Sequence, residues 1–306
     1  MSSVINKSIK GNSLNSIFTE VKHNETLGLV NPEQLRLFHL AVSSNLFTYT
    51  NLNDFLVGTI SEYVFSRAQV EKLSKTTNPH SIGIQALRIM KKNGPADTKG
   101  TGNELGEILL YAFMEDILGA PKLFSKVELN ASSSSFGKYS DAIHLLELPG
   151  SPIPCYQTVF GSSEINGDIR SAIDNAFATI ERIENDTNNT SAMLVDNRIF
   201  EESFDTNTAK RIIDIMLPQG NNPVINDTAY GVFLGYSLGL NPNGRSNIDF
   251  RKAMDAKMQT DIKQHSSYIT AKINNLNLNT HSFYFYIVPF NDAENDKRKI
   301  MEDLLI

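Results

Sequence analysis

Over the last two thirds of the chain the apolar residues change period repeatedly, and this restricts the fold more than any other feature. "YSDAIHLLEL", "CYQTVFGSS", "AYGVFLGYSL" and "HSFYFYIVPF" read as strands. Helical spacing takes over between and after them. "DIRSAIDNAFATIERIE" places Ile169, Ile173, Phe177 and Ile180 on one face, with Asp168 as its cap. "TAKRIIDIML", the long "IDFRKAMDAKMQTDIKQHSSYITAKI" and "NDAENDKRKIMEDLL" also read as helices, and "ELGEILLYAFMEDILG" is a strongly apolar helix stopped by Gly119. This pattern predicts an α/β fold with a mixed central sheet flanked by helices. "LFSKVELN" is expected to be a further strand.

The first 95 residues read as a mostly helical region. "NPEQLRLFHLAV", "NLNDFLVGTISEYVF" and "NPHSIGIQALRIMKK" all show helical spacing, and two of them open on Asn-Pro. "KKNGPADTKGTGN", from Lys91 to Asn103, is the expected linker into a core spanning residues 96–306.

With 41% apolar and 20% charged residues, the 306-residue chain has the composition of a globular protein. A net charge of -6 and a pI near 5.6 argue against a chain that holds nucleic acid strongly by itself. The basic stretch of Lys72, Lys75, Arg88, Lys91, Lys92 and Lys99 is either a phosphate-facing patch or a solvated helix face. Cys155 is the single cysteine, so neither an internal disulfide nor a cysteine zinc site can form. The opening residues lack a signal-peptide core, and "YGVFLGYSLGL" is too short to span a bilayer. Together these features give the expectation of a cytoplasmic protein without a membrane partner.

Three carboxylates stand in apolar settings. Glu107 lies in "LGEILL", where a buried carboxylate needs a partner, a proton or a metal; the alternative is a helix-edge residue paired with a lysine. Asp141 heads an apolar strand, where it is either functional or a cap for the preceding loop. In "VFGSSEINGDI", strand alternation sends Ser162 and Glu164 to one face and Gly161 and Ser163 to the other. That segment is either an active-site rim or an ordinary turn from strand to helix. His144 reads as a satisfied core residue.

In order along the chain, "LGEILLYAFMEDILGAPKLFSKVELN", "SDAIHLL" and "VFGSSEINGDIRSAIDNAF" resemble the C-terminal domain of HamA, the effector of the Hachiman anti-phage defence system. The resemblance is clearest from about Gly102 to Ile180. It implies a restriction-endonuclease-like core and a DNA nuclease using Mg2+ or Mn2+ together with a helicase subunit. Carried over by motif, "LGE" supplies Glu107, "SDAIHL" supplies Asp141, and the family's Gly-Glu-Ser-Lys falls on Gly161-Ser162-Ser163-Glu164. The resemblance therefore makes Glu107, Asp141, Ser162 and Glu164 the catalytic set, with Glu107, Asp141 and Glu164 holding the metal.

Here serine replaces the motif glutamate and glutamate replaces its lysine. Glu164 then serves as a base or metal ligand, and Asp168 or Asp174 is the candidate to reach in from the following helix. Two functions remain open: an active nuclease, or a nuclease-fold subunit that has lost catalysis and regulates the helicase. An unrelated α/β domain is the third possibility.

Overall fold

The computed structural model describes residues 4–9, 14–76, 78–93, 102–131, 139–187, 197–217 and 223–305. In chain order the strands are β1 (Phe18–Val21), β2 (Glu33–Leu40), β3 (Val42–Ser43), β4 (Leu46–Phe47), β5 (Ala142–Leu148), β6 (Cys155–Asn166), β7 (Ile225–Ser237) and β8 (Ser282–Phe290). The helices are α1 (Thr50–Val64), α2 (Arg67–Thr76), α3 (Pro79–Asn93), α4 (Glu104–Ala112), α5 (Lys126–Ala131) and α6 (Ile169–Thr187). They continue with α7 (Asn197–Ser203), α8 (Thr206–Met216), α9 (Asn247–Asn275) and α10 (Ala293–Leu305).

Six strands form a mixed sheet in the order β1-β2-β8-β7-β6-β5. The inner strands β2, β8, β7 and β6 run parallel, and β1 and β5 are antiparallel edges. Every residue of β8 is buried, as expected for a strand with both faces covered. α6 lies on β6 and β7, with α9 beside it. α4 lies on the opposite face of the same two strands, with α1 and α10 against it. The predicted α/β architecture is therefore what the chain adopts.

Two segments differ from their local pattern. "NPEQLRLFHLAV" contains β2, which pairs with β8 from Glu33↔Phe283 to Leu37↔Ile287. Leu35, Leu37, Phe38 and Leu40 are all buried there, and pairing with a distant strand outweighs the local Asn-Pro helix signal. The first 95 residues thus supply α1 and α3, as read, together with α2 and two strands of the main sheet.

"LFSKVELN" is the second. No strand forms within it: Lys122, just before it, makes an isolated antiparallel bridge with His144, and the Leu123 amide donates to the Ile143 carbonyl at 2.8 Å, covering the outer edge of β5. Its remainder is α5, opened by a reciprocal cap between Ser125 and Glu128. The Ser125 amide and hydroxyl each lie 2.6 Å from Glu128 Oε2, and the Glu128 amide lies 3.4 Å from Ser125 Oγ. Most of the expected Lys91–Asn103 linker, including Lys99, falls outside the described residues.

α4 continues as a π-helical turn, Phe113–Leu118, ended by Gly119 at φ +80°. Glu115 within this turn is fully buried and richly hydrogen-bonded. It accepts from the amides of Ser8, Ile9 and Lys122 at 2.5–2.9 Å and from Arg67 at 3.3 Å. His144 is buried beside it with Nδ1 2.7 Å from the Ala120 carbonyl oxygen, and burial holds its pKa down to about 4.

α4 approaches the sheet closely because two strand positions have no side chain. A Cβ on Gly161 would lie 2.7 Å from Leu110 Cδ2, and one on Gly231 would collide with Met114 Sδ. Gly231→Ala is expected to lower unfolding free energy by about 1–3 kcal/mol in a denaturant titration. Gly83 in α3 has open space around its Cβ position, so Gly83→Ala is expected to raise it by about 0.5–1 kcal/mol.

Candidate active site

The closeness of α4 to β6 puts Gly106 against Ser163, with its Cβ position 3.3 Å from the serine side chain. Glu107 follows at the edge of this contact and is 17% exposed. Its Oε2 accepts a hydrogen bond from the Tyr63 hydroxyl on α1 at 2.7 Å and pairs with Lys126, the first residue of α5. The helix-edge, lysine-paired reading of Glu107 thus describes its actual contacts, and the lysine stands beside a second carboxylate.

That carboxylate is Asp141, immediately before β5. Ser140 fixes the start of the strand, since its Oγ donates to the carbonyls of Ala142 at 2.6 Å and Gly161 at 3.1 Å. The Asp141 amide donates to the Gly161 carbonyl at 3.0 Å. Asp141 Oδ2 then accepts from both the amide and the hydroxyl of Ser163, at 2.7 and 2.8 Å.

The electrostatics follow from these contacts. Burial, and after it the charge of Glu107, pushes the Asp141 carboxyl up to about 7, while Lys126 and Ser163 act in the opposite direction. Burial works against the Lys126 charge, but Glu107, with Asp141 and Glu104 behind it, raises the ammonium above its ordinary range. Burial also raises Glu104, one turn before Glu107. Tyr63 is held far above its normal range, first by burial and then by Glu107, so its hydroxyl is a donor.

The structure brings Glu107 and Asp141 together and places Ser162 and Glu164 on the other face of β6. Ser162 is buried, and its Oγ donates to the Ala176 carbonyl of α6 at 3.3 Å. Glu164 is bonded to Asn175 on α6 and lies near Lys297; burial raises its carboxyl above the usual range. Asp168 caps α6 by accepting from the Ser171 amide at 2.8 Å, as its position predicts. Asp174 pairs with Lys272 and Tyr268 of α9, each at 2.5 Å, on the side away from α4.

The residues that sequence reasoning missed are Lys126, Ser163 and Tyr63. Lys126 had a local signal, because Ser125-x-x-Glu128 is the pattern of a helix start and places the lysine at its first position. For Tyr63 the sequence holds no signal, since 44 positions separate it from Glu107.

The donor set suits a hard divalent cation, being carboxylate and hydroxyl oxygens without sulfur or imidazole. The described bonds to Glu107 fall on Oε2 and those to Asp141 on Oδ2, so neither engages Oε1 or Oδ1. Among the described residues no group of three His, Cys, Asp or Glu side chains is placed to hold a metal ion. Magnesium sites commonly use one or two carboxylates and complete the shell with water and phosphate oxygens, and Glu107 with Asp141 fits that kind.

Asp141 gains a proton more readily in the folded chain than in the unfolded one, so folding stability falls as pH rises from the ordinary aspartate range to about 7. Asp141→Asn removes that cost and keeps an oxygen for Ser163. In thermal melts at about pH 8 the variant is expected to gain roughly 1 kcal/mol, or about 2–4 °C, and the gain is expected to vanish below about pH 4.

No curated protein matches the chain. The HamA family model matches residues 15–304, so the agreement takes in β1 and β2 as well as the segment around the site. The chain belongs to the HamA family.

Proposed function

We propose that this protein, a Hachiman defence-related chain by its family, is a metal-dependent DNA nuclease that works with a helicase subunit. The observation that carries this reading is the meeting of Asp141, Glu107 and Lys126 where α4, α5, β5 and β6 come together. An aspartate whose proton affinity is raised by burial and by a neighbouring glutamate is an arrangement that functional sites use and that stability alone disfavours. The reading takes α4 with the antiparallel β5–β6 pair as a restriction-endonuclease-like core, supported by a helix glutamate beside an aspartate at a strand start.

Glu107 and Asp141 would hold Mg2+ or Mn2+. Such an ion, when bound, polarises a phosphodiester and lowers the pKa of its water. The chain's own residues do the positioning. Ser163 fixes the Asp141 carboxylate through two bonds to one oxygen, and Tyr63 holds Glu107 through a single bond from its hydroxyl. A net charge of -6 fits a subunit that depends on a partner to bring DNA to it.

The second reading, a silent nuclease-fold subunit that regulates the helicase, has its own support. Ser162 and Glu164 face α6, and Glu107 is already neutralised by Lys126. Plasmid nicking with Mg2+ or Mn2+, by the chain alone and in its complex, decides between the two. The active reading expects nicking that falls by at least about 100-fold in Asp141→Ala. The silent reading expects no nicking by either protein, with phage protection retained in Asp141→Ala and lost on deleting the subunit.

A further inference from the structure

We propose that Lys126, delivered by α5, is the cation that contacts the scissile phosphate of the substrate; the inference rests on the nuclease reading of the site. A phosphodiester entering here meets Glu104, Glu107 and Asp141, and three carboxylates repel an anion unless cations stand among them. Ser162 and Glu164 offer no cation and lie on the far face of β6. Lys126 stands among the three carboxylates, with its ammonium on Glu107 Oε2.

The geometry suits a group that exchanges partners. The backbone of α5 is fixed by the Ser125–Glu128 cap, and the remaining Glu128 oxygen accepts from Ser203 on α7. From this fixed base a four-carbon arm carries the ammonium, and the side chain is 25% exposed. An ammonium has three N–H donors, so the one bonded to Glu107 leaves capacity for phosphate oxygens. With a divalent ion held by Glu107 and Asp141, the lysine head would be free to turn to a phosphate oxygen by side-chain rotation alone.

The test uses the full chain, alone and in its complex, with two substitutions, Lys126→Met, which keeps the apolar arm, and Lys126→Arg. Three quantities are measured: nicking rate split into kcat and KM, affinity for duplex DNA in Ca2+, and Mn2+ affinity without DNA by calorimetry. Lys126→Met is expected to lose about 100-fold in kcat/KM and to bind DNA more weakly in Ca2+. Its Mn2+ affinity is expected to be no lower than that of the unaltered chain. Lys126→Arg is expected to recover part of both losses.

Lys126→Met that nicks and binds DNA normally overturns the proposal. So does a loss of nicking that parallels a loss of Mn2+ affinity, because the lysine would then act only by ordering Glu107. An unaltered protein that nicks neither alone nor in its complex overturns the nuclease reading instead, and the Ca2+ binding comparison still decides whether Lys126 touches phosphate.

Discussion

Everything near the candidate site depends on how closely α4 can lie on β6 and β7. Helix–sheet contact at this depth requires strand positions without a Cβ, and Gly161 and Gly231 provide them beneath Leu110 and Met114. The same approach sets Gly106 against Ser163 and so brings Glu107 level with Asp141. Were α4 held farther out by side chains, Glu107 would rise toward solvent, and the two carboxylates would no longer influence each other.

The second constraint is charge in a partly dry place. Glu107 and Asp141 cannot both be ionised there without compensation, and the chain supplies it from three directions. Lys126 brings a full positive charge, Tyr63 a hydroxyl donor, and Ser163 an amide and a hydroxyl. These partners come from α5, α1 and β6, so α1 takes part in the site although it lies in the first 95 residues. About two turns beyond Glu107 on the same helix face, the Glu115 network ties residues 8 and 9 to the π-helical turn and to Arg67. The N-terminal segment is thereby held to the helix that carries Glu107.

Much of this was legible along the chain. The period changes placed most of the helices and strands, Gly119 ended its helix, Asp168 capped α6, and His144 sat satisfied in the core. Glu107 and Asp141 stood out because carboxylates in apolar surroundings require partners. Two segments did not follow their local pattern. β2 carries a helix-start signal, yet its apolar residues are covered because β8 lies beside it, and no local property encodes that pairing. α5 was obscured by an apolar composition that suits a strand, although its capping box was present.

The alternation in "VFGSSEINGDI" was fully determined by the sequence, since a strand with period two must send Ser162 and Glu164 one way and Ser163 the other. Which of those faces meets α4 was decided only by the tertiary structure, through the glycine contacts that seat the helix. Ser162 and Glu164 therefore fall on the α6 side, and Ser163 is the member of the segment that meets Asp141. The cation at the carboxylate pair also depends on tertiary placement. Lys126 lies 19 residues from Glu107 in sequence, and only the packing of α5 beside α4 makes them partners.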